Sequence, residues 1–366
     1  MVKRFMLVII IFMVAILVIP AILVTGFSTA TSDSELNITI HEEEELVDGA
    51  DIGSPVPEET EIEETEPSSM IETVSVFRSS NETIEEVSLE DYIIGVVASE
   101  MPASYEKEAL KAQALTARTY LIRLLLDGDG LNLPEGSDVT DTVMHQVYKN
   151  DEELQELWGN DYEWQITRIR QAVLETEGQV ITYDREPITA TFFSTSNGYT
   201  ENSEEYWENE IPYLRSVESP WDTESPRYMG EKSMTVEEFQ GALDIQLDEG
   251  EVGEIISRTT GGRVATVKIG EESFTGREVR DALELDSSDF SWTRSGENIV
   301  IETRGWGHGV GMSQFGADSM AKAGNTYRDI IEHYYHNVDI EEATTVIVNN
   351  SSQSEEDVSN KLSYSE

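Results

Sequence analysis

The chain has 366 residues, which is enough for one large domain or two of ordinary size. Its 24 Lys and Arg residues against 73 Asp and Glu give a net charge of −49, which argues against a nucleic-acid binder or a polybasic membrane-binding patch. The absence of cysteine excludes disulfides, thiolate metal ligands and a cysteine nucleophile. An apolar fraction of 39% is nevertheless sufficient to fill a core.

The N-terminal part contains an uncharged apolar run, Phe5–Val24, as long as the ~20 residues that cross a bilayer as a helix. Lys3 and Arg4 precede it, so the positive charge places the N-terminus inside. We predict an uncleaved transmembrane anchor within residues 1–27. The alternative is a cleaved signal peptide with a small-residue site at Ser28–Ala30, although the apolar regions of signal peptides are usually shorter. Both alternatives predict that the rest of the chain is exported.

Residues 28–70 are dominated by Glu and Asp with scattered prolines and show no apolar periodicity. Like charges repel and little apolar surface can be buried, so we predict an extended, disordered linker. A calcium-binding or partner-binding acidic segment is the alternative. The polar residues 349–366 predict a disordered tail. The globular domain is therefore expected over residues 71–348.

The first half of that domain begins with alternating segments that predict two paired strands. Ser88 then has the character of a helix cap, with Asp91 at the capping-box position. A long second helix follows, with an apolar stripe spaced by three and four residues, ending at Gly128. The predicted elements are strands at 71–77 and 84–89, helices at 88–101, 105–126, 151–158 and 165–176, and strands at 179–183 and 189–194.

The second half contains a segment, about 235–298, that we predict to be a separable α+β subdomain. Thr235 and Glu238 form a capping-box pattern at the start of a helix that ends near Leu243. The remaining predicted elements are a hairpin of 254–258 with 263–269, a helix at 274–285, a strand at 299–303 and helices at 313–323 and 326–335. No βαβ periodicity occurs, so the predicted fold class is α+β, with helices and short antiparallel strands around a groove.

Acid–base chemistry by a carboxylate or histidine is the main catalytic option in an exported chain without cysteine. Glu100 ends an apolar helix and is followed by Met101 and Pro102. Desolvation there favours the protonated carboxyl, which a general acid requires. The alternative is a solvated glutamate at a helix end.

Three cations lie along one edge of the predicted second helix: Lys107, Lys111 and Arg118. Local positive charge in a strongly negative protein suits an anionic substrate. The alternative is that these cations form surface salt bridges, and for Lys107 this is the favoured interpretation.

Two loops have compositions that suit a binding site. In the first, Gly305–Gly316, glycines alternate with other residues, which lets the backbone approach a ligand, and a helix begins at once. It contains His308, whose residue type fits a core position and a site position equally well. The second, Phe192–Thr200, ends in hydroxyls, an amide and a tyrosine that suit sugar recognition, although such clusters are also ordinary turns.

Aromatic and histidine side chains give weaker signals. Trp207, Tyr213 and Trp221 suit sugar stacking, but aromatic residues are more often part of a core. His333 and His336 are spaced as helical neighbours, yet no third ligand is near them in the sequence, so a metal site is not predicted there.

Together these stretches resemble the sporulation stage II protein D family, peptidoglycan lytic transglycosylases of endospore-forming bacteria. Five segments carry the resemblance, and they occur in the family's order over most of residues 71–340: Asp91–Pro102, Lys107–Tyr120, Ser194–Thr200, Gly305–Ala317 and Tyr334–Tyr335.

The resemblance implies that Glu100 is the catalytic acid/base. It also implies an activity: cleavage of glycan strands stripped of stem peptides, between N-acetylmuramic acid and N-acetylglucosamine, to give 1,6-anhydro-muramyl ends. As substrate-binding residues we predict Lys111, Arg118, Ser196, Asn197, Tyr199, His308 and Gln314. The alternative function is a non-catalytic glycan-binding protein that stimulates a cell-wall amidase, since related domains are described as amidase enhancers.

The resemblance also implies partners and a location. The partners are the amidase stage II sporulation protein P and the membrane protein stage II sporulation protein M. The location is the mother-cell membrane that engulfs the forespore, with the catalytic domain outside. Some family members hold zinc near the segment matching Asp138–Tyr148. Only His145 of such a ligand set is present here, so we expect no metal and no cofactor.

Overall fold

The computed structural model describes residues 71–128, 133–142 and 145–350. The predicted anchor, the predicted acidic linker and residues 351–366 of the predicted tail lie outside these residues. Within the described part of the chain, no helix is both long and apolar enough to span a membrane.

Helices occur in both halves of the domain, and most of them follow the predicted pattern. They are α1 Leu89–Glu100, α2 Lys107–Asp127, α3 Asp151–Trp158, α4 Tyr162–Leu174, α5 Val236–Leu243, α6 Gly276–Ala282, α7 Gln314–Lys322 and α8 Tyr327–Tyr334. A further helical segment covers 343–350, where the sequence predicted no helix and placed the start of the tail.

Short strands form small sheets between the helices. They are β1 Thr73–Arg78, β2 Thr83–Ser88, β3 Val139–Thr140, β4 Gln179–Tyr183, β5 Glu186–Pro187, β6 Phe192–Phe193, β7 Met229–Thr235, β8 Glu254–Arg258, β9 Val264–Ile269, β10 Glu272–Thr275, β11 Phe290–Ser295, β12 Asn298–Arg304, β13 Met312–Ser313 and β14 Asp339–Glu342.

Most of these strands pair in antiparallel fashion. In the sheets of the described residues the strand orders are β2-β1-β3, β10-β9-β8, β11-β12-β7, β13-β6 and β14-β4-β5. The pairs β1 with β3 and β13 with β6 are parallel. Helices and small, largely antiparallel sheets without a βαβ repeat confirm the predicted α+β class.

The centre of the larger core is α2, which is buried on nearly every side and packs against α1, α4, α7 and α8. Small residues such as Ala112, Ala114 and Ala117 are fully buried and allow these helices to approach closely. The helix ends at Gly128, whose φ of 61° is the left-handed conformation that glycine adopts without strain. The predicted stop signal is therefore confirmed.

The predicted helix caps are also present. Ser88 Oγ accepts a hydrogen bond from the Asp91 amide and donates one to the Asp91 carboxylate. Thr235 and Glu238 form a reciprocal capping box at the start of α5. Such caps satisfy amide groups that have no partner within the helix.

A second buried cluster belongs to residues 236–301 and includes Phe239, Val267 and Phe290. It is formed by α5, α6 and the strands β9, β11 and β12, so this region has its own apolar core. The predicted helix over 274–285 is only partly correct, because residues 272–275 pair with β9 as a strand before α6 begins. The predicted strand over 189–194 is shortened to Phe192–Phe193.

Gly95 provides a test of how tightly α1 is packed. A Cβ atom at Gly95 would lie 2.5 Å from the Lys149 carbonyl oxygen and closer still to the Tyr148 ring. We predict that Gly95→Ala lowers the free energy of unfolding by about 1–3 kcal/mol, because the overpacking exceeds the gain in helix propensity.

The matched control is Gly241→Ala in α5, where a Cβ atom would meet nothing within 4 Å. That substitution is expected to raise the free energy of unfolding by up to about 1 kcal/mol. Urea denaturation of both variants measures the difference. Equal effects at the two positions would contradict the packing described for α1.

Candidate active site

An open cleft of about 760 Å³ lies at the end of α1. Its lining comes from segments far apart in sequence: residues 98–105, 157–158, 192–195, 225–227 and 314–315, with Gln165 and Trp306. Aromatic and apolar side chains share the lining with a few polar groups, which is typical of a ligand-binding cleft of this volume.

Glu100 is the last residue of α1, and its side chain lines the cleft. Burial raises the pKa of the Glu100 carboxyl above its usual range, and a hydrogen bond from the Val147 amide to Oε1, at 3.1 Å, opposes part of this effect. Among the described residues that line the cleft, Glu100 is the only carboxylate. Burial therefore shifts this carboxyl toward its protonated form, which is the direction that a general acid requires.

Gln314, at the start of α7, connects this helix to Glu100. Its side-chain Nε2 donates a hydrogen bond of 3.0 Å to the backbone carbonyl of Glu100 and lies 3.3 Å from Gln113 Oε1. The predicted site residue Gln314 therefore lines the cleft and fixes the backbone at Glu100.

The two loops singled out in the sequence lie side by side. Thr195 and Trp306 exchange two backbone hydrogen bonds of 3.1 and 2.7 Å. Gly305, the residue before Trp306, has a φ of 79°, and a Cβ atom there would lie 2.8 Å from the Thr195 carbonyl oxygen. The glycine is required for this close approach. The contact brings Trp306 to the cleft with 40% of its surface exposed.

His308 belongs to the Gly305–Gly316 loop, but it is not among the residues that line the cleft. Its Nδ1 accepts from the Val310 amide and its Nε2 donates to the Phe192 carbonyl. Burial lowers the pKa of His308 to about 4. The ring is therefore neutral at pH 7 and packs against aromatic rings, which fits a role in shaping the site.

The predicted polar residues of the 192–200 loop are mostly engaged within the protein. Ser196 is fully buried and donates to the Asp222 carboxylate at 2.6 Å. Asn197 donates to the Gly261 carbonyl and to Asp289. Tyr199 is 47% exposed but does not line the cleft. The structure thus places none of these three side chains in the cleft.

The expectation that Lys111 and Arg118 bind an anionic substrate is corrected by their surroundings. Arg118 is fully buried, and its guanidinium lies 2.6 Å from the Glu90 carboxylate. Lys111 is paired with Glu108 at 2.9 Å and with Glu175 at 2.6 Å. Helical spacing placed these cations on one edge, but that edge faces carboxylates of the protein and not the cleft.

Several residues that line the cleft were not predicted from the sequence. Arg227 lies in an irregular loop after Ser225 and Pro226, where no periodic pattern marks it. Tyr105, Trp158 and Phe315 provide aromatic lining. The three aromatic residues weighed for stacking belong to the core or pack against it, as the alternative expected: Trp207, Tyr213 and Trp221. The one sequence feature that could have indicated Arg227 is an isolated arginine next to a proline in a strongly acidic chain.

The residues near His145 do not fit a zinc site. His145 Nδ1 accepts from the Thr140 amide at 3.2 Å, and the chain has no cysteine to supply thiolate ligands. Across 71–128, 133–142 and 145–350, no three His, Asp or Glu side chains are grouped so as to hold a metal ion. Tetrahedral zinc would need four such ligands.

The corrected role of Arg118 can be tested by its effect on stability. We predict that Arg118→Met lowers the free energy of unfolding by about 3–5 kcal/mol, because Glu90 loses its buried partner. Lys107→Met is the control, since Lys107 is 43% exposed and pairs with Glu175 at the surface. A change of about 0–1 kcal/mol is expected there. An Arg118→Met variant of unchanged stability but lost glycan binding would restore the original expectation.

Comparison with known proteins identifies the family of the chain. Residues 78–183 match the family model described as "SpoIID: Stage II sporulation protein". The chain is 45% identical over 342 residues to stage II sporulation protein D of Bacillus subtilis (strain 168), covering 93% of this chain and 96% of that protein.

The chain is also similar to two further proteins. Stage II sporulation protein D of Bacillus amyloliquefaciens is 50% identical over 276 residues, 75% of this chain and 80% of that protein. The amidase enhancer of Bacillus subtilis (strain 168) is 30% identical over 296 residues, 66% of this chain but 39% of that protein. The chain therefore belongs to the stage II sporulation protein D family.

Proposed function

We propose that this sporulation protein is a peptidoglycan lytic transglycosylase that cleaves glycan strands lacking stem peptides. The observation that carries the proposal is Glu100, the only carboxylate among the described residues that line the cleft, whose pKa is raised by burial. A glycoside hydrolase normally uses two carboxylates that flank the scissile bond. A transglycosylase needs one group that acts first as an acid and then as a base.

In the proposed reaction the protonated Glu100 carboxyl donates its proton to the glycosidic oxygen between N-acetylmuramic acid and N-acetylglucosamine. The bond from this oxygen to the muramyl C1 breaks, and the N-acetylglucosamine leaves as an alcohol. The ionised carboxylate then takes the proton from the muramyl C6 hydroxyl as its oxygen bonds to C1. The 1,6-anhydro ring closes without water, and Glu100 regains its proton.

The Val147 amide and the Gln314 side chain support these two steps. The Val147 N–H donates to Glu100 Oε1, so it stabilises the carboxylate after proton transfer without adding a net positive charge. Gln314 holds the backbone carbonyl of the same residue. Because the carboxyl is held in place, less conformational entropy is lost on reaching the geometry in which it first donates and then accepts a proton.

The location and partners are part of the same proposal. The apolar segment 5–24 would anchor the protein in the membrane that engulfs the forespore, with the catalytic domain outside. Stage II sporulation protein P would supply strands free of stem peptides as an amidase, and stage II sporulation protein M would assemble with both. Because the anchor would confine the enzyme to the wall beside one membrane, glycan cleavage would thin the septal wall there.

A non-catalytic protein that stimulates an amidase is the competing function, supported by the name of the relative called amidase enhancer. Such a protein would bind glycan in the same cleft but would have no use for the proton of Glu100. The products formed from purified strands therefore separate the two functions.

We predict that the purified full-length protein converts peptide-free glycan strands into fragments with 1,6-anhydro-muramyl ends and that Glu100→Gln does not. Gln keeps the shape and the acceptor oxygen for the Val147 amide but has no transferable proton. Mass spectrometry distinguishes anhydro ends from the reducing ends of hydrolysis, which are heavier by one water. Glu156→Gln, an exposed glutamate of α3 beside the cleft-lining Leu157, is the matched control and should retain activity.

Substantial turnover by Glu100→Gln would remove Glu100 from the mechanism. Reducing ends as the main product would indicate a hydrolase with a second carboxylate. An inactive wild-type protein that accelerates an amidase would favour the competing function.

The raised pKa of Glu100 also predicts a pH-dependent difference in stability. The folded protein holds this proton more tightly than the unfolded chain, so the wild type loses stability as pH rises from about 4.3, the ordinary glutamate value. Glu100→Gln has no such proton. Its free energy of unfolding should match the wild type in acid and exceed it at neutral pH. Urea denaturation from pH 4 to 8 measures the difference, and a constant difference would contradict the raised pKa.

A further inference from the structure

The surroundings of Arg227 differ from those of Lys111 and Arg118. It is exposed at the cleft and lies over the Trp306 ring, with Cζ 4.8 Å from the ring centroid. Among the described residues no carboxylate lies within ion-pair distance of its guanidinium. Arg304, close to Trp306 in sequence, is instead paired with Asp289 at 3.2 Å.

Arg227 is also the only Lys or Arg among the described residues that line the cleft. The protein carries a net charge of −49, so its overall field repels an anionic strand. A cation at the site of contact offsets that repulsion locally. The Trp306 ring restricts the flexible arginine side chain and leaves its N–H donors available to a ligand.

We propose that Arg227, held by Trp306, forms a subsite that binds the free lactyl carboxylate of an N-acetylmuramic acid residue. This inference rests on the proposed function and names the residue that selects strands without stem peptides. In such strands the lactyl carboxylate is the ionised group, and it matches the bidentate donors of a guanidinium. In strands that carry stem peptides the same carboxyl is an amide, so the charge is absent and a bulky peptide occupies the position.

The assignment replaces Lys111 and Arg118 in the role expected from the sequence. Both are satisfied by protein carboxylates, at 2.6 Å in each case. A ligand carboxylate would have to displace these partners, whereas Arg227 needs no such exchange.

The test measures binding, so that its outcome does not depend on turnover. Full-length protein carrying Glu100→Gln is titrated with two probes: peptide-free glycan strands, and the same strands whose lactyl carboxylates have been converted to methylamides. With Arg227 intact, the ionised strands should bind more tightly than the methylamide strands. Adding Arg227→Gln should weaken binding of the ionised strands about tenfold, the loss expected for one exposed charge-assisted interaction. Binding of the methylamide strands should not change.

Arg328→Gln is the matched control, because Arg328 lies over the Tyr327 ring at 5.1 Å in the same kind of arginine–aromatic pair but does not line the cleft. It should leave both affinities unchanged. Arg227→Lys should recover part of the lost affinity, because it restores the charge without the planar fork.

Equal affinity of the parent and the Arg227→Gln protein for ionised strands would overturn the proposal. So would an equal loss for both probes, which would make Arg227 a part of the cleft wall without carboxylate recognition. Failure of the transglycosylase activity itself would instead appear as missing anhydro ends in the wild type, with this binding pattern intact.

Discussion

The buried carboxylate of Asp222 joins loops that are distant in sequence and that form one wall of the cleft. Ser196 donates to one of its oxygens and Ser313 to the other, at 2.6 and 2.8 Å. Ser313 is also the N-cap of α7 and accepts from the Gly316 amide. A buried carboxylate without such donors would be costly, so the two hydroxyls and the carboxylate require one another. Their positions fix where α7 begins.

The start of α7 in turn determines the environment of Glu100. Gln314 follows Ser313 directly and donates to the Glu100 backbone carbonyl, while Phe315 packs edge-on against Tyr105 with ring centroids 6.5 Å apart. These contacts join the wall built by the loops to the end of α1. The partial exclusion of water that raises the pKa of Glu100 follows from this closure. The pKa of this carboxyl is thus raised by its burial rather than by a nearby charge.

Local patterns predicted much of the fold. Apolar spacing and capping residues indicated α1, α2 and α5. The apolar residues around Glu100 made it a candidate, but only the family resemblance implied that it is catalytic. Strands such as β7 and β14 were missed because their residues are polar and largely exposed, so alternation carried no signal. Periodicity placed Lys111 and Arg118 on one helix edge correctly. Periodicity does not predict tertiary contacts, so it gave no indication that this edge faces Glu90 and Glu175, which are distant in sequence. Arg227 sits in a loop, where its contact with Trp306 depends on tertiary structure alone.

The central claim is that Glu100 holds a proton under conditions in which ordinary glutamates are ionised. The direct measurement is a ¹³C NMR titration of the Glu100 side-chain carboxyl in the folded protein, assigned by the loss of its signal in Glu100→Gln. A midpoint clearly above the value of about 4.3 typical of solvated glutamates is expected. A midpoint at or below that value would contradict the proposed role, because Glu100 would then be ionised and could not act as the general acid.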